Sequence, residues 1–211
     1  MRHDEVWRHI HAERSSLAAA LSNLDEAQWQ HDSLCTGWTV KDVAAHVIST
    51  PAIGWREIGA MSIRNLGRGY NQIIFREVKR LGQRPVEDIL DDYETYARST
   101  HHVPTTTSVE PLIDALVHHQ DIARPLGIRH EMAPDAAAVA ADRVRKLSFL
   151  MGSRQLVRSV RMVATDIDWV RGRGPTIEGP VQELLMLCSG RAADPALISG
   201  DGRELINAGQ A

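Results

Sequence analysis

Apolar positions along this 211-residue chain recur mostly at three- and four-residue steps, the spacing that gathers side chains onto one face of a helix. Within residues 4 to 22, Val6, Ile10, Leu17 and Leu21 stand among charged positions and predict a first helix ending near Asn23. A polar connection follows, with DEAQW as a short extra turn. Thr39 then precedes Val40, Lys41 and Asp42. In such a T-x-x-D pattern the hydroxyl and the carboxylate each accept a hydrogen bond from the other residue's backbone N–H, so a second helix starts at Val40. Val40, Val43, Ala44 and Val47 form its apolar stripe, and Pro51 with Gly54 bend or interrupt its continuation through Trp55, Ile58 and Ile63.

Further along, NLGRGYN reads as a turn and QIIFREVKRLG as helical. PVEDILDDYETYARST reads as a long helix with Pro85 in its first turn and Val86, Ile89, Leu90 and Tyr93 inward. Ser108 stands where it can cap VEPLIDALVHHQDIARPLG, which Pro125 and Gly127 stop. The pattern then changes. One more helix, over roughly 135 to 151, precedes QLVRSVRMVATDIDWVRGRGPTIEGP, whose Val, Ile and Trp residues and Gly-Pro turns predict short strands. VQELLMLCSG closes this part as a helix ended by Gly190. The fold class predicted is mainly α: a helical bundle over residues 1–130, then a small α/β domain over 131–211.

Composition narrows the functions open to such a fold. Hydrophobic residues make up 43% of the chain and charged residues 24%, enough to build a core and ordinary for a globular protein. The 24 basic against 27 acidic residues give a net charge of −3, which exerts no long-range pull on phosphate backbones or anionic lipid. Nucleic acid and membranes are therefore not expected partners. The first two dozen residues lack the unbroken apolar core of a signal peptide, and no run of about 18 apolar residues occurs, so a cytoplasmic location is expected. Cys35 and Cys188 are far apart and outside any C-x-x-C spacing; they read as two isolated reduced thiols.

Chemistry concentrates on VEPLIDALVHHQDIARPLG. Asp114, His118 and Asp121 fall at i, i+4 and i+7, within an arc of about 60° around a helix. Leu112 and Leu116 point to the opposite side, so this stripe is more than the solvent-facing back of the helix. A carboxylate and an imidazole one turn apart can reach a single cation, and His46, beside the apolar stripe of the second helix, can supply a third ligand across a bundle. Each has a plainer reading: His46 as a hydrogen-bonded packing residue, and Asp114 with His118 as a surface ion pair. His9 with His11, and His101 with His102, read as solvated. Asp166 and Asp168 read as turn-forming or solvent-facing.

LCTGWTVKDVAAHVI and PLIDALVHHQDIARPLG, followed by VRMVATDIDWVRGRGPTIEGPVQELLMLCSGR, together resemble the mycothiol-dependent maleylpyruvate isomerase family of the DinB-like superfamily, nearly end to end. The resemblance implies an N-terminal DinB-like four-helix bundle holding a divalent metal, usually zinc, and a C-terminal α/β domain. It assigns His46, Asp114 and His118 as metal ligands, with Asp114 standing where the isomerase carries Glu. Asp121, one turn beyond His118, is the candidate for orienting an imidazole, with a solvent-facing position as its other reading. The implied activity is that of an enzyme using mycothiol as thiol cosubstrate: a zinc-activated thiolate adds to a small electrophile, with isomerisation or thiol transfer as the outcome. Arg171 and Arg173 are candidates for meeting a substrate carboxylate, with a solvated surface position as the plainer reading of either. The shorter Asp114 keeps open the alternative of a noncatalytic metal-binding or partner-binding bundle.

Overall fold

The computed structural model describes residues 1–208 and divides into two compact units, Arg2–His130 and Glu131–Ala211, the last three residues of the second lying outside the described range. The first unit contains α1 (His3–Leu21), α2 (Glu26–Gln30), α3 (Val40–Ser49), α4 (Trp55–Arg64), α5 (Tyr70–Leu81), α6 (Val86–Tyr96) and α7 (Val109–Ala123). Helices α1, α7, α3 and α6 form a closed ring in which each packs on two neighbours, the layout of a four-helix bundle. Its core is built from the inward residues of those helices, among them Ile10, Leu17 and Leu21 of α1, Val43 and Val47 of α3, Ile89 of α6 and Leu112 and Leu116 of α7, all at most 1% exposed. Each such side chain contributes about 1.5–3 kcal/mol through removal from water. The buried Tyr93 hydroxyl donates to the Ala44 carbonyl at 3.1 Å, which ties α6 to α3 without leaving a polar atom unsatisfied.

The start of α3 follows the expected chemistry. Thr39 Oγ1 accepts from the Asp42 N–H at 3.2 Å, and Asp42 Oδ2 accepts from the Thr39 N–H at 2.9 Å. Asp42 is itself buried and also accepts from Lys79 Nζ of α5 at 2.6 Å. The helix ends at Ser49, a short 3-10 turn spans Thr50–Ala52, and the Trp55–Ile63 stretch is a separate helix, α4, with no buried residue; Trp55 and Ile63 are exposed. Ser108 does not cap α7 with its side chain. The cap lies one residue earlier: Glu110 Oε2 accepts from the Thr107 backbone N–H at 2.8 Å, and Thr107 Oγ1 accepts from the Val109 N–H.

The second unit contains α8 (Pro134–Lys146), α9 (Arg154–Ser159), β1 (Arg161–Ala164), β2 (Val170–Gly172), β3 (Thr176–Gly179), α10 (Val181–Cys188) and α11 (Glu204–Ala208). The three strands lie in the order β2-β1-β3, with β1 antiparallel to β2 (Met162 opposite Arg171) and parallel to β3 (Met162 opposite Ile177). Met162 and Ile177 are fully buried, and α8 packs on α10. Two expectations are corrected here. The helix predicted to reach residue 151 ends at Lys146, because Phe149 and Leu150, which prolong the apolar pattern, sit exposed in a turn that Gly152 closes with φ +73°. The strand-like run beginning at Gln155 opens instead as α9, too short to display helical periodicity, with Leu156 and Val157 inward. Asp166 accepts from the Val181 N–H at 2.8 Å and so caps α10, consistent with its reading as a turn residue. Among the described residues no helix is long and apolar enough to cross a membrane.

Candidate metal centre

Helix α7 is apolar on nearly all sides, with Leu112, Ile113, Ala115, Leu116, Val117, Ile122 and Ala123 buried. Its polar residues are therefore carried into the protein and must find partners there. Asp121 is fully buried and His118 is 9% exposed. Asp121 Oδ2 accepts from His118 Nδ1 at 2.8 Å and from the Cys35 thiol at 3.1 Å. The same Cys35 sulfur lies 3.7 Å from His118 Nδ1.

His46 arrives from α3, whose register is set by the Thr39 cap. Its ring meets that of His118 edge to face, with centroids 5.1 Å apart and planes at 85°. One ligand atom from each of His46, Asp114 and His118 falls within 4.8 Å of the others. A second triple, Cys35, His118 and Asp121, meets the same distance condition and shares His118. The sequence-predicted Asp114, His118 and Asp121 thus stand together with His46. Arg171 is engaged elsewhere, in a two-pronged pair with Asp142 at 2.7 Å on each arm, its guanidinium 5.3 Å from the Trp169 ring centre.

The loop between α2 and α3 contributes what the sequence did not single out. Val40 N–H donates to the His31 carbonyl, Ser33 Oγ donates to the Trp38 carbonyl, and Leu34 N–H donates to the Asp121 carbonyl at 3.0 Å, which fastens the loop to α7. Gly37 turns it at φ +78°, with the Phe75 ring 3.2 Å from where a Cβ would stand. This path brings Cys35 to Asp121 and sets the Trp38 indole 5.6 Å from the His46 ring and 6.2 Å from that of His118. Cys35 forms no disulfide, as expected, but it is not isolated. Spacing rules for cysteine test pairs of cysteines, and a thiol that meets a carboxylate 86 residues away leaves no such signal.

The two imidazoles are displaced in opposite directions. Burial, with the neighbouring His118 adding to it, lowers His46 to about 3, so its ring stays neutral and keeps a lone pair. Burial also opposes charge on His118, but hydrogen bonds to Asp121 and Cys35, with the nearby carboxylate charge of Asp121, outweigh it and raise His118 to about 10. Two imidazoles and a carboxylate form the donor set of a zinc site with an open position, and a carboxylate on the far nitrogen of a ligating histidine is its usual support. The residues present fit a divalent cation.

Residues 10–111 match the family model described as the mycothiol maleylpyruvate isomerase N-terminal domain. Among solved structures, the crystal structure of the mycothiol-dependent maleylpyruvate isomerase aligns with a TM-score of 0.62 at 13% identity, covering 95% of this chain and 93% of that one. A histidine-to-alanine mutant of the mycothiol-dependent maleylpyruvate isomerase aligns with the same TM-score and coverage at 14% identity. At these identities the likeness is one of fold. No curated protein matches the sequence.

Proposed function

We propose that this chain, whose residues 10–111 match the mycothiol maleylpyruvate isomerase N-terminal domain, is a member of that family and a metal-dependent enzyme that directs a low-molecular-weight thiol, mycothiol, onto a small electrophile. The observation that carries this reading is the convergence of His46, Asp114 and His118 from two helices to within 4.8 Å. The Cys35, His118 and Asp121 triple serves the purpose less well. It would cost the 2.8 Å contact between Asp121 and His118 that orients the imidazole the two triples share. With Nδ1 committed to Asp121, Nε2 is the nitrogen of His118 left to face a cation.

Each residue then has a part. His46 offers a neutral imidazole at neutral pH, because its pKa lies far below. Asp114 adds one negative charge, which offsets part of a divalent cation's charge in a half-buried position. Asp121 holds the proton on Nδ1 of His118 and fixes the ring's direction, while Cys35 completes the partners of that carboxylate. The Trp38 indole shields both imidazoles on one side. His46, Asp114 and His118 would hold zinc or another divalent cation, which would supply Lewis acidity favouring the deprotonated form of a thiol at neutral pH. Addition of the thiolate to an activated double bond would form a carbon–sulfur bond and an enolate; rotation about the new single bond and expulsion of the same thiolate would complete an isomerisation, whereas protonation of the enolate by water with the carbon–sulfur bond kept would complete a thiol addition.

Metal content and thiol binding of the purified protein test this. Zinc-loaded protein is expected to bind mycothiol saturably and to turn over maleylpyruvate or a related unsaturated acid, and His118→Ala is expected to lose both while its helical circular dichroism is unchanged. Zinc-loaded protein that binds no thiol would overturn the proposal.

A further inference from the structure

A second set of ligating side chains lies in the same unit, drawn from α1, α7 and the segment that follows α7, of which α7 alone also serves the first triad. Glu13 of α1, His119 of α7 and His130, seven residues beyond the end of α7, each present one ligand atom within 4.8 Å of the other two. Glu13 is 9% exposed and His119 2%. A carboxylate on the inward face of α1, between Ile10 and Leu17, is costly unless it is compensated. One oxygen, Oε1, takes both contacts: His119 Nδ1 stands 3.1 Å from it and His130 Nε2 closer still. The two imidazoles stack face to face, with centroids 3.5 Å apart and planes within 15°, and both direct a nitrogen at that same oxygen.

The segment that carries His130 is braced. Gly127 turns it at φ +67°, and the Ile128 N–H donates to the Ala123 carbonyl at 2.9 Å. Gln120 Nε2 donates to the His130 carbonyl at 2.9 Å, and Arg124 Nε in turn holds Gln120 Oε1 at 2.7 Å. Three donors from three separate stretches are thus delivered to one point by a scaffold that also fixes the backbone of the most remote of them. In a tetrahedral site with ligands about 2.0–2.1 Å from the ion, neighbouring donors are roughly 3.3 Å apart; the Glu13–His119 separation is close to this and the Glu13–His130 separation is shorter, so an ion seated here would part the carboxylate from His130 and replace its contacts to both rings.

We propose that Glu13, His119 and His130 form a second divalent-cation site, distinct from the His46, Asp114 and His118 triad. The donor set of two imidazoles and one carboxylate selects zinc or a similar borderline first-row ion over calcium or magnesium, which prefer all-oxygen shells. Bound there, the ion would join α1, α7 and the stretch leading out of the bundle. His119 follows His118 directly, so one helix would present adjacent imidazoles to two separate ions.

Zinc stoichiometry by equilibrium dialysis and elemental analysis of the full-length protein tests this. About two zinc ions per chain are expected for the unaltered protein, with about one each for His118→Ala and His130→Ala. Loss of all zinc in His118→Ala, or one zinc in the unaltered protein that His130→Ala does not change, would overturn the second site. His130→Cys provides a positive signal that does not depend on loss of function. Loaded with cobalt, it should gain a thiolate-to-cobalt charge-transfer band that the unaltered protein, loaded in the same way, lacks. A folded His130→Cys protein without that added band would also overturn the proposal.

Discussion

Asp121→Asn is the substitution that separates a positioned imidazole from a merely buried one. The asparagine side chain has nearly the same shape and its carbonyl oxygen can still accept from His118 Nδ1, so the fold is retained; what is lost is the negative charge. Asp121 is fully buried and its contact with His118 is 2.8 Å long, so no water takes its place when it is weakened. A hydrogen bond to a charged group contributes about 1.5–3 kcal/mol, and loss of an outer partner of a ligating histidine typically costs about 10–100-fold in metal affinity, or roughly 1.4–2.8 kcal/mol. The two routes agree. A second consequence concerns protons. Burial opposes charge on His118, but Asp121 and Cys35 outweigh it and raise it to about 10, so the metal-free ring is protonated at neutral pH and cation uptake must expel that proton. Affinity in the unaltered protein should therefore climb with pH up to about 10. In Asp121→Asn the climb should end nearer the ordinary histidine value of about 6.5. Calorimetric zinc titrations in buffers of different ionisation enthalpy read both quantities. Affinity within about twofold of the unaltered protein, with the same proton release, would refute the reasoning.

Thr39→Ala removes the hydroxyl that accepts from Asp42 N–H and should cost about 1 kcal/mol in urea unfolding, with weaker zinc binding because α3 carries His46. Asp114→Glu should keep or raise zinc affinity in the same titration; a fall of tenfold or more would mean that the shorter carboxylate is required. Glu77 resists ionisation through burial, but Arg64, Asn65 and Arg80 outweigh this and hold its pKa down at about 2. Its contribution to stability is therefore complete above the unfolded value of about 4.3 and is lost as pH falls toward 2. Thermal melts of Glu77→Gln should show a shallower decline over that range than those of the unaltered protein.

The bundle was legible because its helices carry the signals that physics makes local: a three-four apolar spacing, the Thr39–Asp42 cap and the Pro85 and Gly127 boundaries. The stripe of Asp114, His118 and Asp121 could be read for the same reason, since all three lie on one helix. His46 lies on another helix, so no spacing links it to that stripe; bundle geometry makes it one possible third ligand and the family resemblance singles it out. Cys35 and Trp38 escaped notice because an irregular loop delivers them, through contacts such as Leu34 N–H to the Asp121 carbonyl, and no periodicity encodes a loop's path. Glu13, His119 and His130 were missed because their sequence separations, 106 and 117 residues from Glu13, follow no ligand motif. In the second unit α9 was mistaken for strand because its six residues contain too few turns to reveal a period.

Anomalous diffraction at the zinc edge from zinc-soaked crystals tests the central claim most directly. The account predicts a peak about 2.0–2.2 Å from a nitrogen of His46, a nitrogen of His118 and an oxygen of Asp114, with Asp121 still on His118 Nδ1. A peak seated on Cys35 and Asp121, or no peak near His118, would contradict it.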